Sequence, residues 1–158
     1  MSNLYQATTN QIVVFTLDEQ SFALSLPVVK KVIHAIEIRH LPKAPEIITG
    51  IINVNGRIIP VADIRKRFGL PAREIDLEDR LIITDTGQRE IAILVDSLTG
   101  IRDLDPGQIL SAEDIPFAEN ISGVAKCEDG MVLIYDLEQF LSLDEALGLE
   151  NALKKRKR

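Results

Sequence analysis

The chain has 158 residues, a net charge of −6, 46% apolar residues, 4% aromatics and no Trp. A chain this long buries about two-thirds of its surface on folding, so it needs no disulfide or metal to hold a core, and the single Cys127 excludes an internal disulfide. The five residues Lys154–Arg158 are all basic, leaving residues 1–153 with 13 basic against 24 acidic side chains, a net −11; such a body is a poor nucleic-acid binder, because phosphate neutralisation supplies most of that affinity.

The stretch before Asp18 has neither a basic n-region nor a continuous apolar h-region, so no signal peptide is expected. No apolar run approaches the ~18 residues of a membrane span. A reducing, cytoplasmic setting is expected, with no direct membrane insertion. With aromatics scarce, the core falls to Ile, Val and Leu, which favours strands.

The first run is Ile12–Leu17, followed by a turn at Asp18-Glu19-Gln20 and a second run, Phe22–Leu26, in which Phe22, Leu24 and Leu26 alternate with Ala23 and Ser25. After Pro27, the helical spacing of Val28, Val29, Val32 and Ile33 predicts one short turn before a third strand that ends near Ile38. Ile51–Val54 and Ile58–Val61 flank Asn55-Gly56, a strong hairpin signal because both residues tolerate positive φ. Asp63 stands where a helix N-cap belongs and Gly69 where that helix stops. In the second half, Thr86-Gly87 and Asp129-Gly130 supply turns, Asp136 is a second N-cap, and Ser142-Leu143-Asp144-Glu145 opens a terminal helix.

The chain also repeats itself. A shift of 69 residues lays Ile12-Val13-Val14 on Leu81-Ile82-Ile83, Phe22–Leu26 on Ile91–Val95, and Val29 and Val32 on Leu98 and Ile101. A shift of 73 lays Gly50-Ile51-Ile52 on Gly123-Val124-Ala125 and Ile59, Val61, Asp63 and Ile64 on Val132, Ile134, Asp136 and Leu137. Two halves of short strands predict an all-β fold. Two five-stranded SH3-like barrels, at about 12–70 and 79–135, lie side by side within a single domain 1–153. A C-terminal helix covers about 142–153, and the basic tail 154–158 is expected to be disordered.

Polar groups that would support catalysis are scarce. His34 and His40 lack metal-pair spacing, and acidic neighbours Glu128 and Asp129 argue against a reactive Cys127. Gly50–Gly56 lacks the Lys and Ser/Thr of a phosphate loop. Helix capping accounts for Asp63 and Asp136 more simply than a phospho-acceptor role. No enzyme activity, cofactor or metal is expected.

The segment Gly50-Ile-Ile-Asn-Val-Asn-Gly-Arg-Ile-Ile-Pro-Val-Ala-Asp-Ile-Arg-Lys-Arg-Phe-Gly-Leu70 resembles the central motif of the CheW family of chemotaxis adaptors. Phe22-Ala23-Leu24, Val29, Val32 and Ala92–Asp96 extend the resemblance over about Ile12 to Leu143. It implies paired barrels and an adaptor that bridges chemoreceptor cytoplasmic hairpin tips to the regulatory domain of a CheA-type histidine kinase. The chain departs from the family where Asn55 replaces an Arg and Lys31 replaces a Glu. That pair of changes raises the alternative of a paralogue serving a pilus-motility or other receptor–kinase pathway. A remote alternative of another class is a small-barrel nucleic-acid binder using the basic tail. The expected partner contacts are Val29, Lys31, Val32, Ile33, Asn55 and Gly56 from the first half, with Ile93, Val95, Leu98 and Ile101 from the second.

Overall fold

Alternating apolar runs cut by Gly-, Asn- and Asp-containing turns fold into eleven strands among the described residues of the computed structural model, which are 11–111, 121–127, 130–137, 141 and 143–156. The first half supplies β1 (Gln11–Leu17), β2 (Gln20–Ser25), β3 (Val29–His34), β4 (Ile48–Val54) and β5 (Arg57–Ala62). The second supplies β6 (Arg80–Asp85), β7 (Glu90–Val95), β8 (Ser97–Asp103), β9 (Ile109–Ser111), β10 (Ile121–Cys127) and β11 (Gly130–Tyr135). An α-helix, α1 (Leu143–Arg156), follows. The all-β class and the C-terminal helix are as the sequence predicts.

The expected division at 12–70 and 79–135 is corrected by the strand pairing. One sheet runs β8-β1-β2-β11-β10-β9 and the other β3-β6-β7-β5-β4. Each therefore combines the opening hairpin of one repeat with later strands of the other. The contact units follow suit: Met1–Val29 with Asp96–Phe140, and Lys30–Val95 with Leu141–Arg158. Apolar patterning decides which face of a strand is buried, but hairpins β1–β2 and β6–β7 carry nearly the same pattern. Pattern alone therefore does not choose which set of later strands each hairpin completes.

The exchange is symmetric to the residue. Parallel pairing sets Ile134 against Ala23 in the first unit and Val61 against Ala92 in the second, which are equivalent positions under the two sequence shifts. In the first unit, Ile12, Val14, Ala23, Ala125, Val132 and Ile134 cluster with Leu104. In the second, Leu81, Ile83, Ala92, Ile52, Ile59 and Val61 do the same with Leu94. Phe15 and Phe22, paired across β1 and β2, stack at 6.1 Å within the first unit.

Local details refine the sequence reading. Ala23 is as buried as Phe22 and Leu24, so β2 is covered on both faces. Only Leu26–Val28 form a 3₁₀ turn, while Val29, Val32 and Ile33 lie in β3, which ends at His34. The apparent helical spacing is that of a half-buried strand with Lys30 and Lys31 exposed. Asn55 and Gly56 take φ of 52° and 86°, the left-handed pair a tight hairpin requires. Asp63 caps the 3₁₀ helix Ile64–Lys66, its Oδ1 accepting from Arg65 N–H at 3.1 Å. Asp129, Ser142 and residues 138–140, where the helix expected to be capped by Asp136 would run, fall outside the described residues. The basic run does not begin a disordered tail at 154: α1 continues through Arg156. Lys and Arg are good helix formers, and at a C-terminus they complement the helix dipole.

Candidate protein-docking surfaces

In the second unit, β3 and β4 are the end strands of the sheet. On β3, Lys31 is exposed, and Val29, Val32 and Ile33 are half-buried, with Ile33 packed against the unit's own core. The exposed Asn55-Gly56 turn joins β4 to β5, with Gly56 N–H donating to Asn53 Oδ1 at 2.8 Å. An ion cluster lies close to both features. Lys30 Nζ reaches Glu90 Oε2 at 3.1 Å and Asp85 Oδ2 at 3.9 Å, and Arg57 also pairs with Glu90. Glu90 thus links β3 to the first residue after the turn. The Lys30–Glu90–Arg57 cluster, which joins the sequence neighbours of positions 31 and 55, is a feature the sequence reading missed.

The same unit has a groove of about 390 Å³ lined by Ile36, Glu37, Arg39, Ile51, Ile52, Asn53 and Ile58. Its geometry depends on Gly50. Arg39 and Ile51 exchange two backbone hydrogen bonds, Arg39 N–H to Ile51 O at 2.8 Å and Ile51 N–H to Arg39 O at 2.7 Å. A Cβ on Gly50 would sit 2.2 Å from Arg39 O. Only glycine lets the 39 segment lie this close to β4. The aligned Gly123 meets Leu110 O in the same way, its Cβ position 2.8 Å away. The ladder shifts register at both glycines, between Ile48 and Gly50 and between Ile121 and Gly123. Apart from the Gly50 repeat, the only local sign of the groove was Ile58, an apolar residue beside a tight turn.

In the first unit, β8 is an end strand carrying Leu98 and Ile101, 39% and 61% exposed. They are three residues apart, yet they oppose Phe15 and Val13, which lie on one face of β1. A register shift opposite Val14/Phe15, with Gly100 at φ +137°, absorbs the odd residue and aligns both side chains. Ile93 and Val95 are corrected as partner contacts, since both are 0% exposed. β7 is an interior strand between β6 and β5, apolar on both faces, and its side chains fill the fold.

Among the described residues, no group of three or more His, Cys, Asp or Glu side chains is arranged to hold a metal ion. His34 and His40 are exposed, and Cys127 is half-buried against the first unit's core. Among the described residues, no helix is long and apolar enough to cross a membrane. What these surfaces offer is shaped apolar contact rimmed by charge, the chemistry of protein docking.

Comparison with known proteins agrees with this architecture. The CheW-like domain family matches residues 11–145. The chain is 25% identical to a chemotaxis protein CheW of Klebsiella aerogenes over 98% of its own length and 95% of that protein. It is 26% identical to a chemotaxis protein CheW of Thermotoga maritima over 83% of this chain and 87% of that one. The crystal structure of the scaffolding protein TtCheW from Thermoanaerobacter tengcongensis superposes with a TM-score of 0.77 at 31% identity, covering 87% of this chain and 95% of that one.

Proposed function

The chain belongs to the CheW-like domain family, and on that premise we propose that it is a non-enzymatic cytoplasmic adaptor. It couples the cytoplasmic hairpin tips of chemoreceptors to the regulatory domain of a CheA-type histidine kinase, and those complexes recruit it to membrane-associated receptor arrays. The observation that carries this reading is a pair of apolar surfaces left open, one on an end strand and one in a groove. They are Leu98 and Ile101 on β8, and Ile36 and Ile58 in the groove held by Gly50. Apolar patches rimmed by polar groups mark protein-interaction sites. The relatives named above are chemotaxis or scaffolding proteins.

Within this role, Val29, Lys31, Val32, Asn55 and Gly56 are the first-half positions that meet a partner. A second reading draws on Lys31 and Asn55, which replace the family's acid and base. The nearby charge is carried by the Lys30–Glu90–Arg57 cluster, which suits a partner pair other than the conventional one, such as a pilus-motility receptor and kinase.

Calorimetric titration with the kinase regulatory domain and a receptor-tip fragment from the same organism tests the proposal. Binding to both is expected, and Ile101→Arg or Ile58→Arg should weaken one or the other at least tenfold. Absence of binding to either partner overturns the adaptor reading. Tighter binding of a conventional kinase by the Asn55→Arg, Lys31→Glu variant supports the second reading.

A further inference from the structure

The segment from Pro71 to Asp79, between the 3₁₀ helix Ile64–Lys66 and β6, has no regular secondary structure, yet it is densely bonded. Arg65, itself buried, donates from Nη1 to Pro71 O at 3.1 Å. The buried Asp79 carboxylate accepts from Arg73 Nη2 at 2.6 Å and from Asp76 N–H at 2.8 Å. Asp76 Oδ1 accepts from Glu78 N–H at 3.0 Å, and Asp76 O from Asp79 N–H at 3.0 Å. On this pinned loop Leu77 is 89% exposed, with exposed Ile75 two residues before it. A single exposed leucine is ordinary. An apolar pair held out by a loop whose conformation is already fixed is a docking element, because little ordering entropy remains to be lost on binding.

The charges around it indicate its complement. Residues 71–80 carry a net −2, with Glu74, Asp76 and Glu78 exposed. Residues 30–43, which supply Ile36, Glu37 and Arg39 to the groove, carry a net +3; with Lys30 engaged by Glu90 and Asp85, the exposed cations left around the groove are Lys31, Arg39 and Lys43, against Glu37. Arg39 already pairs with Glu37 at 3.7 Å, but both side chains are largely in solvent, and such pairs hold each other weakly. Loop and groove are also neighbours within one unit: Ala35 N–H donates to Asp79 O at 3.0 Å, joining the base of the loop to the residue before Ile36.

We propose that two copies of this chain associate through this face, the Ile75/Leu77 loop of each entering the groove lined by Ile36, Ile51, Ile52 and Ile58 of the other. Because loop and groove adjoin, the exchange is reciprocal about a two-fold axis and closes at a dimer, without propagating into a filament. Apolar side chains fill the groove, and Glu74 and Glu78 approach Arg39 and its basic neighbours. Groove occupancy by a second copy excludes any other ligand of that groove, so self-association regulates its availability.

Sedimentation velocity on the full chain, without kinase or receptor, tests the proposal independently of the adaptor reading. A concentration-dependent dimer in the micromolar range is expected, weakened at least tenfold by Leu77→Glu and by Ile58→Glu, and weakened by salt. Neither variant should pair with itself, but an equimolar mixture should recover a heterodimer, since one intact loop then meets one intact groove. That recovery separates a lost interface from a lost fold. Measured at concentrations where the wild type is monomeric, Leu77→Glu should leave binding of a kinase regulatory domain unchanged. A wild-type chain that stays monomeric to about 100 µM, a Leu77→Glu variant that dimerises normally, or a mixture that stays monomeric would overturn the proposal.

Discussion

Gly50→Ala is the most informative single substitution. The added Cβ would lie 2.2 Å from Arg39 O, 2.8 Å from Ile38 Cγ2 and 2.9 Å from Arg39 C. The first and last of these are backbone atoms, so no rotamer change relieves the clash, and the 39 segment must move away. That movement breaks both hydrogen bonds between Arg39 and Ile51, worth about 1 kcal/mol each. Overpacking a fitted interior adds about 1–3 kcal/mol, for a total of about 3–5 kcal/mol. With a urea m-value of about 1–3 kcal/mol/M, the unfolding midpoint should fall by about 1–5 M. Gly107→Ala is the control, because its Cβ meets nothing within 4 Å and its φ is not positive. It should be neutral or slightly stabilising. Gly123→Ala, whose Cβ would meet Leu110 O at 2.8 Å and the more adjustable Ile109 Cγ2 at 3.3 Å, should fall between them. Urea denaturation of the three variants followed by circular dichroism gives the ranking. If Gly50→Ala were as stable as Gly107→Ala, the argument that glycine sets the approach of the 39 segment would be wrong.

Other substitutions separate core from surface. Ile93→Ala should cost about 2–5 kcal/mol of stability, as expected for a fully buried isoleucine. The folded fraction should bind partners with wild-type affinity, measured by titration well below the unfolding midpoint. Glu90→Gln removes the shared acceptor of Lys30 and Arg57. It should cost about 0.5–1 kcal/mol in low salt and less at 1 M NaCl, read from urea midpoints at the two salt concentrations. Leu149→Ala should destabilise by about 2–5 kcal/mol, because Leu149 is buried on α1. Glu150→Gln, which loses only the exposed end of the pair with Arg89, should change thermal unfolding little.

Turns and repeats were legible in the sequence because they are local. Asn55-Gly56 announces a tight hairpin through the φ values its residues tolerate, and Asp63 announces a cap through its side-chain oxygen. The duplication was visible as two offsets, and the equivalent core positions follow from it. The exchange of hairpins between repeats was not visible, since Ile12–Leu17 and Leu81–Ile83 present similar apolar faces and pattern alone does not choose a partner. Ile93 and Val95 show a related limit: an unbroken apolar run signals a strand buried on both faces, and nothing in its period reserves a face for a partner. The groove depends on residues 36–39 meeting residues 51–58 across Gly50, a non-local pairing that no window of sequence contains. Leu77 gave no signal because its significance comes from the buried Asp79 that pins the loop.

An adaptor must hold both partners at once, and separate titrations do not show this. Sedimentation of the chain with the kinase regulatory domain and the receptor-tip fragment together measures it directly. The account predicts one species containing all three, which neither partner forms with the other when this chain is left out. Two mutually exclusive binary complexes, or free components throughout, would contradict it.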